Sequence, residues 1–194
     1  MAGIGSTEGR CMDSRVALAF QRIDRAELRF CRYLNSSSGF LAVRTFFRAV
    51  SWLGDGWIWY ALIAALPVLY GAAGWLAATQ MALTGAIGVA IYKVVKRRAV
   101  RERPFITHPT ISCAAAPLDR YSFPSGHTLH AVSFTMLLAS HFPEWSGLCV
   151  AFTGLVALSR VVLGLHYPTD VAAGALLGGG IAFVSLRIAS LAAF

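Results

Sequence analysis

Two histidines, His127 and His166, stand in polar islands of an otherwise apolar chain, each beside residues suited to phosphoryl chemistry. His166 precedes Asp170 by four residues across Tyr167-Pro168-Thr169. A carboxylate so placed can keep one imidazole nitrogen protonated and leave the other free to attack phosphorus. His127 follows Pro124-Ser125-Gly126 and suits a general acid that protonates a leaving alkoxide or phosphate. Lys96, Arg103 and Arg160 supply positive charge, and an arginine fork matches two phosphate oxygens at once. Ser125 and Gly126 open an apolar run, where the N–H groups of a helix start form an anion cradle and a glycine allows close approach. Phosphoryl transfer asks for little beyond such positioning and charge stabilisation. The spare acids nearby, Asp119 and Glu102, are too few for a magnesium cluster, so the chemistry is expected to need neither metal nor cofactor.

These residues are held by a chain of 194 residues that is 57% hydrophobic and only 13% charged. Soluble domains carry roughly 25% charged residues, and with a mean hydropathy of +0.62 the chain reads as a membrane protein. Its net charge of +8 is concentrated before residue 49 and in the segment 93–103, both beside membrane-length apolar stretches. Phospholipid and a phosphorylated substrate are therefore the expected partners, and nucleic acid is not. Cys11, Cys31, Cys113 and Cys149 are scattered, with no spacing that suggests a disulfide framework or a zinc site.

Residues 15–34 predict an amphipathic helix, with Val16, Phe20, Ile23, Phe30 and Leu34 on one face and Arg22, Arg25, Arg29 and Arg32 opposite. Such a helix suits a membrane interface, or else a face of the protein itself. A second amphipathic piece covers 40–53, and Asp55 is expected to cap the helix that follows. Apolar runs near 56–72, 75–95, 125–141, 146–165 and 170–190 predict membrane spans, helical because a bilayer admits only helices or closed barrels. The expected fold is thus an all-α integral membrane bundle of about five transmembrane helices, or six, preceded by interfacial amphipathic helices. The division falls into an N-terminal region, 1–54, and a bundle, 55–194. Gly174 and Gly178 would let the last helix approach a neighbour closely. Five spans bring the polar islands to one membrane face, where ionisable residues by default mark a functional site.

The islands also carry a family resemblance. Lys96 with Arg103-Pro104 matches KxxxxxxRP, Pro124–His127 matches PSGH, and Ser159–Asp170 matches SRxxxxxHxxxD. In these motifs the chain resembles the type 2 phosphatidic acid phosphatase superfamily, whose pocket is shared with vanadium haloperoxidases and bacterial acid phosphatases. The resemblance implies a phosphohistidine on His166 with Asp170 behind it, and His127 as leaving-group acid. It also implies Lys96, Arg103, Ser125, Gly126 and Arg160 as phosphate binders, and independence of metal. Many membrane members have six spans; here the amphipathic segment stands where a first would be.

The expected activity is hydrolysis of a lipid phosphomonoester or diphosphate. Undecaprenyl diphosphate, phosphatidylglycerophosphate, phosphatidate and a prenyl-phosphoryl sugar phosphate are the candidate substrates. Lipid phosphotransfer in the same pocket, or plain lipid-phosphate binding or transport, are the alternatives. Arg97, Arg98 and Arg101 read as headgroup anchors, and His108, His130 and His141 as structural histidines. The arginine-rich N-terminus favours a cytoplasmic catalytic face by the positive-inside rule, with a periplasmic face the alternative, and the Ala-, Arg- and Gly-rich composition suggests a bacterial inner membrane.

Overall fold

The computed structural model describes residues 14–117 and 119–192, with side chains from Arg22 to Leu191 apart from Asp24 and Leu118. The chain is all α: α1 (Ser14–Ser36), α2 (Leu41–Leu53), α3 (Trp57–Arg98), the single turn α4 (Pro104–Thr107), α5 (Gly126–His141), α6 (Ser146–Val162) and α7 (Pro168–Ala192).

Among the described residues, three helices are long and apolar enough to cross a membrane: Trp57–Arg98, Pro143–Val162 and Pro168–Leu191. The expectation of about five transmembrane helices, or six, is corrected to these three. The two runs near 56–72 and 75–95 belong to one 42-residue element. The run near 125–141 yields only the 16 residues of α5. At about 1.5 Å per residue, α5 falls short of a hydrocarbon core about 30 Å thick. Its first turn also holds His127 and Thr128, both buried within the bundle.

Long as it is, α3 is not straight. Gly71 leaves helical geometry at φ 57° and ψ −129°, a left-handed backbone open to glycine. Beyond it the chain folds back on itself. A Cβ on Gly74 would lie 1.9 Å from the carbonyl oxygen of Leu66, so the halves 57–70 and 72–98 run side by side in near contact. Between them and α5 lies the main core, with Trp59, Leu66, Met81, Phe134, Leu137 and Leu138 buried together.

The most extensive packing between helices is that of α5 against α7. A methyl group on Gly174 would sit 2.4 Å from Ser125 O, and one on Gly178 would sit 2.2 Å from Leu129 O. Ser133 exploits the proximity by donating a hydrogen bond to Gly178 O at 2.9 Å. The two glycines expected to permit close approach do so against α5.

The N-terminal helix docks on the bundle. Leu28, Cys31 and Leu34 pack with Ile111, Phe105, Val161 and Tyr167. Asn35 fixes the contact: its amide donates to Ser112 O and Val162 O, each at 3.0 Å, and its carbonyl accepts from Ser112 N at 2.8 Å. Of the predicted apolar face, Leu34 packs inward, Ile23 and Phe30 are exposed, and the side chains of Val16 and Phe20 lie outside the described residues.

Candidate active site

Three segments build the pocket. The first leaves α3 at Arg98 and crosses to 101–104, where Glu102 bridges in antiparallel fashion to Tyr121 and Ser122 N donates to Arg101 O at 2.7 Å. That closure returns the loop 108–121 to the mouth of the site. The second is the start of α5. The third is the turn between α6 and α7, made by Gly164 at φ 74°. A side chain there would be strained and would also meet Ser112 O at 2.5 Å, so the turn that carries His166 depends on glycine.

A cavity of about 580 Å³ opens where these segments meet. Lys96, Arg103, Gly126, His127, Arg160 and His166 line its polar end, with Asp55 and Asp119. Trp59, Ile63, Met81, Val89 and Phe134 line an apolar extension between the halves of α3 and α5. Six of the eight residues singled out from the sequence thus face one space. Ser125 and Asp170 stand directly behind it, both fully buried.

His166 is 2% exposed and presents Nε2 to the cavity, 3.3 Å from Arg103 Nη1. Its Nδ1 points to Asp170 Oδ2 at 3.7 Å. That is adjacency rather than a hydrogen bond, which needs about 3.2 Å or less, so the expected contact is present but open. Burial, followed by the neighbouring Arg160, Arg103 and Lys96 cations, holds His166 well below the usual imidazole range, which keeps it neutral. A neutral ring is the form that can attack.

Asp170 is positioned from its far side by a residue assigned to headgroup anchoring. Arg101 is 2% exposed, with Nη1 2.5 Å from Asp170 Oδ1 and 2.8 Å from Thr169 Oγ1. Its guanidinium lies over the Tyr167 ring, 3.9 Å from the centroid, and 3.5 Å from Glu27 on α1. The other Asp170 oxygen accepts Tyr167 N–H at 2.8 Å. The anchor reading of Arg101 is corrected: a buried carboxylate needs a buried partner, and this is it. Arg97 and Arg98 do point outward.

The cations are held individually. Arg103 donates from Nη1 to Leu165 O at 2.9 Å and from Nε to Asp119 O at 2.8 Å. Arg160, 3% exposed, donates to Ser51 Oγ on α2, while its buried Nε has no hydrogen-bond partner among the described residues. Lys96 Nζ donates to Tyr92 Oη and lies 2.6 Å from Asp119 Oδ2.

Two details differ from the expected cradle. Ser125 N–H is already donated to Asp170 O at 3.0 Å, and Gly126 and His127 line the cavity instead. The space a Gly126 side chain would fill belongs to Tyr92, whose ring would come within 3.0 Å of it. Gly126 is thus required by helix packing as much as by a ligand.

His127 Nε2 lies 3.1 Å from Asp55 Oδ1. Asp55 has a raised carboxyl pKa, first because of burial and against the pull of Arg160. The N-cap of α3 is Gly56, with no side-chain hydrogen bond from Asp55 to the helix end, so Asp55 faces the cavity instead. Asp55, Asp119 and Arg101 belong to none of the three motifs, and only their carboxylate or guanidinium chemistry could have flagged them. His130 also lines the cavity, but its Nδ1 is 2.9 Å from Gly126 O; His141 pairs with Gln80 at 2.7 Å, away from the site.

Comparison with known proteins agrees with this geometry. A family model described as the PAP2 superfamily matches residues 73–192. Decaprenylphosphoryl-5-phosphoribose phosphatase of Mycobacterium tuberculosis is 34% identical over 139 residues, covering 69% of this chain and 73% of that protein. Undecaprenyl-diphosphatase of Sulfolobus acidocaldarius is 38% identical over 106 residues, 54% of this chain and 51% of that one. In fold, the crystal structure of Aquifex aeolicus LpxE is similar at a TM-score of 0.74 and 23% identity, covering 84% of this chain and 95% of that one. Motif order, family model and fold converge: the chain is an integral membrane protein that belongs to the PAP2 superfamily, the type 2 phosphatidic acid phosphatases.

Proposed function

We propose that this PAP2-type lipid phosphatase hydrolyses a polyprenyl phosphate or diphosphate, or a related lipid phosphate, through a phosphohistidine and without a metal. The observation that carries the reading is the shared cavity. His166 Nε2 and the cations of Lys96, Arg103 and Arg160 meet at its polar end, and an apolar hollow continues from them. A phosphate bound by the cations would leave a lipid tail to lie along Trp59, Ile63 and Met81.

In the first step His166 Nε2 attacks phosphorus, a P–N bond forms and the P–O bond to the lipid breaks. His127 gives its proton to the departing oxygen, which leaves as an alcohol or, from a diphosphate, as a monophosphate. The positive charge on the imidazole is met by Asp170, held in turn by Arg101. In the second step water attacks phosphorus, His127 takes the proton, and the P–N bond breaks to release phosphate and neutral His166. Arg160 Nε, buried with no acceptor among the described residues, is a donor available to the phosphoryl oxygens in both steps.

Two relatives named for decaprenyl and undecaprenyl substrates support the polyprenyl class. The arginine-rich N-terminus supports a catalytic face in the cytoplasm, and the bacterial organisms of similar phosphatases support an inner-membrane location. The test is phosphate release from a panel of polyprenyl diphosphates, polyprenyl-phosphoryl sugar phosphates, phosphatidate and phosphatidylglycerophosphate by purified protein in detergent. Release is expected with EDTA present and lost in His166→Ala. Turnover surviving that substitution would remove the nucleophile, and loss with EDTA would remove the metal-free route.

A further inference from the structure

Asp119 stands out because it occupies the partners that a phosphate would need. One carboxylate oxygen lies 2.6 Å from Lys96 Nζ and the other 3.1 Å from Arg103 Nη2. Tyr92 Oη donates to the same carboxylate at 3.3 Å. A carboxylate bridging an ammonium and a guanidinium imitates two oxygens of a phosphoryl group. The pairing is strong enough to hold Asp119 ionised: burial raises its pKa, but the hydrogen bond and charge of Lys96, together with Arg103, bring it below the usual carboxylate range.

The attachment is built to give way at one point only. Arg103 remains fixed when the Asp119 carboxylate leaves. Its Nη1 stays on Leu165 O at 2.9 Å, and its Nε stays on the main-chain carbonyl of Asp119 at 2.8 Å. The Asp119 side chain is 38% exposed, so rotation about its own bonds carries the carboxylate into solvent without moving the loop. The cations it would free, Lys96 and Arg103, are 11% and 2% exposed and have no such latitude.

We infer that Asp119 is a displaceable counter-ion that competes with the substrate's phosphate for Lys96 and Arg103 and so sets how tightly the pocket retains a phosphate. The inference rests on the phosphate pocket proposed above. Incoming substrate exchanges one anion for another at fixed cations, and the same carboxylate returns to help expel inorganic phosphate after the second step. Asp119 therefore acts on affinity and product release, through Lys96 and Arg103, and not on the bond-breaking atoms.

The test is titration of inorganic phosphate and of orthovanadate into detergent-solubilised wild type, Asp119→Asn, Asp119→Ala and Arg160→Ala. Both Asp119 variants should bind the oxyanions at least about tenfold more tightly, about 1.4 kcal/mol, with product inhibition by phosphate strengthened in step. A purely structural role predicts the reverse, because a disordered Arg103 binds anions less well. Unchanged or weaker binding in both Asp119 variants, with Arg160→Ala still losing affinity, overturns the counter-ion and leaves the pocket standing. If Arg160→Ala binds as well as wild type, or no form binds either oxyanion, the pocket reading falls and takes this inference with it.

Discussion

Arg101 and Asp170 form a pair in which neither charge has water to fall back on, since both are nearly or wholly buried. Breaking a buried pair from one side typically costs about 3–5 kcal/mol, whereas removing both charges costs far less. Arg101→Met is therefore expected to lower the melting temperature sharply and to abolish turnover. Adding Asp170→Asn should restore most of the melting temperature but none of the activity, because the imidazolium proposed at His166 then lacks its carboxylate. Thermal unfolding and turnover of the two variants side by side check this; activity returning in the double variant would show that Asp170 is dispensable. Much of the candidate site was legible in the sequence at this scale. His127, His166, Asp170, Lys96, Arg103 and Arg160 sit in short spacings that reach the cavity or its rear wall. Arg101, Asp119 and Asp55 were not, because each finds its meaning in a partner from a distant segment. A buried guanidinium and a headgroup anchor look alike in a run of basic residues.

The helices explain why the spacings work. Close approach of α5 and α7 brings Ser125 N within 3.0 Å of Asp170 O, so the PSGH segment and the end of the last motif are stitched main chain to main chain. Gly174 against Ser125 and Gly178 against Leu129 together allow that approach, and Gly178→Val should push α7 away. Overpacking of this kind costs about 1–3 kcal/mol, and here it should also lower kcat by moving Asp170 relative to α5. Gly147→Val, where a side chain would meet nothing within 4 Å, is the control expected to leave both unchanged. Equal effects from the two substitutions would refute the packing argument. Apolar run lengths predicted the helices themselves but misjudged their membrane status. Gly71 and Gly74 mark in the sequence the turn between the first two runs, but the pattern does not disclose that the runs join into one element. Nor does it disclose that α5 stops at 16 residues with the polar side chains of its first turn buried.

For the molecule in its membrane, the exposed loop beside the catalytic mouth offers a direct measure of orientation. Cys113 is exposed, whereas Cys31 and Cys149 are buried. Its neighbour Ala114 accepts a hydrogen bond from Arg48 and donates to Leu163 O at 3.1 Å, which ties this loop to the turn that carries His166. In a variant with Cys113 as the sole cysteine, a membrane-impermeant maleimide should label only after the inner membrane is opened, if the catalytic face is cytoplasmic. Labelling of intact spheroplasts would put that face outside.

The pocket also recruits parts of the chain that precede the family-matched stretch 73–192: Ser51 holds Arg160, Asp55 meets His127, and Glu27 backs Arg101. A transplant of residues 73–192 onto a foreign anchor would carry across every motif residue. It would nonetheless arrive with Arg160 unsteadied and His127 missing its carboxylate. Swaps with relatives therefore have to be cut upstream of Glu27, because helices ahead of the signature residues complete the pocket.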